Sequence, residues 1–145
     1  MIGIDSNFLI ACELQEHAHH TMARQLLDSL VSAKEQFVLA PQVIAEFIHI
    51  VTDGRRLQSP RTVAEALELA DLWRTASDVA VVAPGLDAIE LFFRWMSEFS
   101  LGRKRVLDTM LAATYATAGV SRIATIDIRD FQVFGVFQFV APAIV

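Results

Sequence analysis

Phe37-Val38-Leu39-Ala40-Pro41-Gln42-Val43-Ile44-Ala45-Glu46-Phe47 decides the architecture of this chain. Phe37–Ala40 reads as a short buried strand. Pro41 follows at once, where a first helical turn tolerates a residue without an N–H. Beyond it Val43, Ile44, Phe47, Ile48, Ile50 and Val51 share one arc at ~100° per residue. That spacing predicts a helix over 41–53, ended by Gly54. A strand passing directly into a helix is the repeating unit of an α/β fold.

The same alternation extends in both directions. Upstream, 1–4 reads as a strand that stops at Asp5, and 6–14 as a short helix. The stretch 17–35 carries Met22, Leu26, Leu27, Leu30 and Val31 at helical spacing. Downstream, Ser59-Pro60 reads as a cap and first helical position, opening a helix over 59–76. A strand over 79–83 and a turn at Pro84-Gly85 lead into a helix over 86–99, with Leu86, Ile89, Phe93 and Met96 on one face. A basic loop, 100–104, leads to a helix over 105–118, terminated by Gly119. Strands are predicted at 122–126 and 137–140, with a helical turn at 130–134. No linker or repeat interrupts the pattern. The expected fold is a single α/β domain, 1–145, with a central, mostly parallel sheet of four to five strands covered by helices on both faces.

Hydrophobic residues make up 54% of the 145 positions. No run reaches the ~18–20 apolar residues of a spanning helix, so no membrane span is expected. The N-terminus lacks the basic start of a secretory leader. A single cysteine, Cys12, excludes an internal disulfide and a multi-cysteine zinc site. It reads as a small buried hydrophobe, and a cytoplasmic setting is expected. The net charge of −5 runs against a basic nucleic-acid footprint, unless clustered carboxylates hold cations that in turn bind phosphate.

The acids support that exception. In a parallel sheet, ligands sit beyond the carboxyl ends of the strands. Asp5 and Asp127 occupy those places, with Asp130 three residues further on. Glu46 and Asp108 fall at the margins of the apolar arcs of their helices, near the buried side. Each acid alone reads equally well as a helix cap or a solvated charge. Together they converge on one pocket. Carboxylates crowded in low dielectric repel one another. Divalent cations relieve that repulsion, and all-oxygen ligands point to Mg²⁺ or Mn²⁺. Phosphodiester hydrolysis is the chemistry that uses such a cluster.

Ile2-Gly3-Ile4-Asp5-Ser6-Asn7-Phe8, Pro41-Gln42-Val43-Ile44-Ala45-Glu46-Phe47, Asp108–Ala116 and Ala124-Thr125-Ile126-Asp127-Ile128-Arg129-Asp130-Phe131 resemble, in that order, the four blocks of PIN-domain nucleases, and most closely the VapC-like toxins of bacterial toxin–antitoxin pairs. The resemblance spans nearly the whole chain. It implies a three-layer α/β/α fold and Mg²⁺ or Mn²⁺ dependence. It also implies homodimers, cleavage of single-stranded or structured RNA, and inhibition by a cognate antitoxin. Asp5, Glu46, Asp108 and Asp127 carry over as catalytic metal-binding acids, and Asp130 as an accessory one. Ser6, Asn7 and Thr125 carry over as neighbours that orient the carboxylates.

Arg103, Lys104 and Arg105 are candidate RNA contacts; Arg105 can instead pair with Asp108. Arg55, Arg56 and Arg61 form a second basic group. His17, His19 and His20 open a helix, and nothing in their spacing brings in the acids. Trp73, Phe92, Phe93, Trp95 and Phe99 read as core or interface rather than base-stacking residues. Two other readings stand beside the nuclease: a non-catalytic PIN-like interaction module, and a phosphoryl-transfer enzyme using Asp5 as nucleophile. The latter commonly wants a second acid where Asn7 stands.

Overall fold

The computed structural model describes residues 1–142. Strands β1 (Ile2–Ile4), β2 (Phe37–Leu39), β3 (Val79–Val81), β4 (Arg122–Ala124) and β5 (Gln138–Val140) form one sheet. Their order is β3-β2-β1-β4-β5, with every pair parallel. Seven helices surround it: α1 (Ser6–Glu13), α2 (His20–Ser32), α3 (Pro41–Val51), α4 (Val63–Thr75), α5 (Leu86–Glu98), α6 (Val106–Thr117) and α7 (Arg129–Gln132). Successive residues of a strand face opposite sides of its sheet. All residues of β1 and β2 are buried, so helices cover both sheet faces in three layers.

The strand order places the site. From β1 the chain steps outward to β2 and β3, then returns across the sheet to lay β4 on the other flank of β1. The order reverses between β1 and β4. A crevice opens at such a reversal, beyond the carboxyl ends of the strands.

Tyr115 of α6 fastens this region. Its hydroxyl donates to the Ile4 carbonyl at 2.6 Å, at the end of β1, and lies 3.2 Å from the Val38 carbonyl in the middle of β2. Its ring lies so close to Gly3 that an added Cβ there would stand 2.8 Å from it. Glycine at position 3 thus lets α6 sit directly on the central strand.

Several elements differ from the sequence expectation. The second helix begins at His20, not His17, and buries Ala23, Leu27 and Leu30; Val31 is exposed. Helix α4 starts at Val63, not after Ser59. Thr62 Oγ1 accepts the Glu65 amide, and the Glu65 carboxylate accepts the Thr62 amide, a reciprocal pair that sets the boundary. On α5, Leu86 and Phe93 point outward, and the buried contacts are Ala88 and Trp95, the latter stacked on Phe134 at 4.6 Å. On α6, Leu107 is exposed rather than inward, because the buried face centres on Leu111, Ala112 and Tyr115. Strand β4 ends at Ala124, so Asp127 stands in a loop rather than directly at a strand end. Cys12 is buried, and burial pushes its thiol up to about 12, as expected of an idle core cysteine.

Candidate active site

Asp5 is 4% exposed and follows β1 directly. Its amide donates to the Ala124 carbonyl at 3.0 Å, which pins it between β1 and β4. It is the residue before helix α1, yet its side chain caps nothing. Instead its carboxylate accepts from Thr125 Oγ1 at 2.8 Å. Burial pushes Asp5 up to about 7, with Asp108 and Glu46 adding to the rise and the Thr125 bond opposing it.

Ser6 and Asn7 use the next two positions. Ser6 Oγ donates to Glu46 Oε2 at 2.8 Å, joining the start of α1 to the middle of α3. Asn7 Oδ1 accepts the Ile126 amide at 3.0 Å. Thr125, fully buried, also accepts the Asp127 amide at 3.1 Å. Ser6, Asn7 and Thr125 therefore contact the acids or the segment bearing them.

Asp108 lies in the first turn of α6, where the helix dipole favours negative charge. Burial nevertheless pushes it up to about 6, helped by Asp130, Glu46 and Asp127. Asp130 is also raised, by burial and then by Asp127. Asp127 goes the other way: Arg129 holds both its oxygens, at 2.8 Å through Nε and 2.5 Å through Nη2, and lowers it. The acids thus form two groups sharing Asp108: Asp5, Glu46 and Asp108 on one side, Asp108, Asp127 and Asp130 on the other. As the side chains stand, no three Asp, Glu, His or Cys residues among those described are gathered tightly enough to ligate one ion. Glu46 is turned toward Ser6 and Asp127 toward Arg129, each to a partner that offsets or bonds its charge.

Sequence reasoning assigned Arg105 to RNA or to Asp108. Its Nη2 instead donates to the Asp130 carbonyl, and its Nε has no partner and no solvent. Its charge lowers the pKa of Asp108, Asp127 and Asp130. Arg103 and Lys104 are exposed in the 3₁₀ turn before α6. Arg61 pairs with Glu16, while Arg55 and Arg56 share Asp53. The histidines sit at the α1–α2 turn and engage backbone, His20 with the Ala11 carbonyl and His17 with the His19 amide. Trp73 donates to Glu13 and Trp95 packs inside, while Phe93 faces outward. The Arg129 contact was missed in the sequence. Its signal is the Asp-x-Arg spacing, which builds the same turn at Asp53-Gly54-Arg55.

The PIN domain family model matches residues 2–135. The chain belongs to the PIN domain family. Among its relatives are Ribonuclease VapC31 and Ribonuclease VapC25 of Mycobacterium tuberculosis. Each is 25% identical, with 98% and 99% of this chain aligned to 99% and 100% of theirs. The fold is shared with the sarcin–ricin loop cleaving toxin VapC20 of M. tuberculosis, at a TM-score of 0.70 and 18% identity, over 90% of this chain and 92% of that one. VapBC-1 of nontypeable Haemophilus influenzae aligns with a TM-score of 0.68 and 16% identity, over 97% and 98%. The PIN architecture expected from the sequence is therefore present, with all five strands parallel. No helix among the described residues is long and apolar enough to cross a membrane.

The donor set can be tested against a metal without reference to any relative. It consists of carboxylate oxygens alone, two of them on acids that burial and neighbouring charge keep from ionising freely. A hard divalent cation such as Mg²⁺ fits that chemistry; a thiophilic ion does not.

Proposed function

We propose that this PIN domain is a Mg²⁺-dependent endoribonuclease, with Mn²⁺ able to substitute, acting on single-stranded or structured RNA. The observation that carries the reading is the convergence of Asp5, Glu46 and Asp108 from the end of β1, α3 and α6: Ser6, next to Asp5, donates to Glu46 Oε2 at 2.8 Å, and Glu46 and Asp108 border one groove. Relatives spanning the whole chain are named ribonucleases, which supports the same reading.

Asp5, Glu46, Asp108 and Asp127 would hold the cation, with Asp130 accessory. A bound divalent cation lowers the pKa of coordinated water and offsets charge on the phosphodiester. The chain's own residues set the geometry. Thr125 fixes the Asp5 carboxylate through Oδ2. Ser6 orients Glu46. Arg105 anchors the segment bearing Asp130 against α6. Under a two-cation scheme the products would carry 5′-phosphate and 3′-hydroxyl ends.

The proposed biological role is the toxin of a toxin–antitoxin pair, held in check by a cognate antitoxin protein. Solved structures sharing the fold include toxin–antitoxin complexes, which supports this role. A homodimer is the expected assembly. The outward Leu86, Ile89 and Phe93 on α5 supply the apolar area a second copy would cover. A cytoplasmic location accords with an RNA substrate.

Incubating the chain with a mixed RNA pool and Mg²⁺ or Mn²⁺, with EDTA as control, tests the reading. Cleavage should require the cation and vanish in Asp5→Asn, with circular dichroism unchanged. Full activity in Asp5→Asn would remove the site from the mechanism.

A further inference from the structure

Helices α3 and α6 enclose a groove of about 560 Å³. That volume lies within the range small organic ligands fill. Its lining is polarised. Glu46 and Asp108, two of the acids described above, border it. His49 and Arg56 border it too, His49 one helical turn beyond Glu46 and Arg56 in the loop after α3. Apolar residues fill the lining between, including Val43, Ile50, Leu107 and Leu111. Leu107 is 71% exposed although it directly precedes Asp108, so an apolar surface lies open beside the acids.

Arg55 and Arg56 share the single carboxylate of Asp53, so the loop after α3 keeps a net positive charge at the end of the groove away from Glu46 and Asp108 only through Arg56, which lines it. Gln42, also in the lining, has its amide nitrogen fixed on Thr114 Oγ1 at 2.9 Å. The Thr114 hydroxyl spends its own proton on the Met110 carbonyl at 2.8 Å, which fixes the orientation of the carboxamide. Gln42 Oε1 is then an acceptor with neither partner nor solvent. Buried acceptors are nearly always paired, and a turn of the Gln42 side chain toward the groove would bring this one within reach of a ligand's donor.

We propose that this groove is a nucleobase subsite. One nucleotide beside the cleaved linkage lies in it, with its base on the apolar wall, its outer phosphate at Arg56 and His49, and its base edge read by Gln42. RNA suits this polarity because a phosphate stands at each end of a nucleotide. One phosphate meets the cation-holding acids, and the other meets a guanidinium directly. Apolar side chains and carboxamides are the groups that hold and read unstacked bases. The inference rests on the nuclease reading and adds to it where sequence preference originates.

RNA oligonucleotides carrying one abasic ribose, placed in turn on each side of the cleaved linkage, test it with the unmodified protein. Removing the base at one of the two positions should raise KM at least about tenfold, as loss of a base platform does. Gln42→Leu should lower the discrimination among bases at that same position about tenfold, read as the ratio of kcat/KM between the best and the worst base. Arg56→Gln should reduce the dependence of log Kd on log salt by about 0.7, measured with Asp5→Asn protein and intact RNA. Indifference to both abasic positions would overturn the subsite while leaving the nuclease reading intact. So would a Leu107→Glu variant that splits an oligomer in light scattering yet binds RNA unchanged, since a second copy would then fill the groove. Wild-type protein that cleaves no RNA with either cation fails the nuclease reading instead. Fluorescence anisotropy of abasic against intact RNA on Asp5→Asn protein then decides the subsite alone.

Discussion

The two halves of the acid site are built differently. Asp5 is held by strand pairing, buried, and bonded to a buried threonine. Asp127 sits in a loop, side chain 32% exposed, facing an arginine that is 80% exposed. One half is fixed by the sheet and keeps its acid reluctant to ionise. The other stands nearer the surface and keeps its acid charged. A cation entering this site would find one rigid wall and one nearer the surface. That division yields an ordered set of expectations, in which the rigid wall should dominate.

The largest effect is expected at Asp5. Asp5→Asn should reduce RNA cleavage by at least ~10³-fold, and Asp127→Asn by ~10–100-fold, since the neighbouring Asp130 can partly compensate. Single-turnover rates on one RNA substrate check both. Equal losses would break the comparison. Next comes Thr125→Val, which keeps the shape and removes the hydroxyl joining Asp5 to the Asp127 amide. Metal affinity, read by calorimetry with Mn²⁺, should fall ~10–100-fold, and Thr125→Ser should restore most of it.

The rigid wall was also the legible one. Asp5, Glu46 and Asp108 lie where strand ends and helix periodicity put them, and those patterns are local. The loop wall was not legible, because its backbone is satisfied by side chains from elsewhere. The Ile126 amide goes to Asn7 and the Asp127 amide to Thr125, so the chain leaves the sheet at Ala124 although its composition still suits a strand. The α4 boundary failed for a related reason. Ser59-Pro60 and Thr62-x-x-Glu65 are competing start signals, and the reciprocal bonds of the second set the helix start. Helix α5 is apolar around much of its circumference, so hydropathy does not say which side faces in. The close approach of Ala88 and the stacking of Trp95 decide it.

Gly3→Ala tests the support beneath the rigid wall. The added methyl would meet the Tyr115 ring at 2.8 Å. Overpacking of that kind costs ~1–3 kcal/mol, seen as a lower urea midpoint with the slope unchanged. The Asp5 environment adds a pH dependence in EDTA. Its folded pKa is about 7 against an ordinary 3.8, so between those values the folded chain keeps a proton that the unfolded chain has released. That contribution is whole below about pH 4 and is lost as pH rises to about 7. Metal-free protein should therefore melt several degrees lower at pH 8 than at pH 5, and Asp5→Asn should flatten the difference.

Arg129→Ala should have the smallest effect. The pair it makes with Asp127 has good geometry, but the guanidinium is mostly in water, where such pairs contribute little after screening and side-chain ordering. Melting temperature should stay within ~2 °C of the parent. The Asp127 carboxyl should titrate higher than before, since Arg129 is the main reason it lies low. NMR titration of that carboxyl, alongside the melt, separates the two effects. If the melt falls as far as in Gly3→Ala, the loop wall is as firmly built as the strand wall, and the ordering of all the other substitutions must be revised with it.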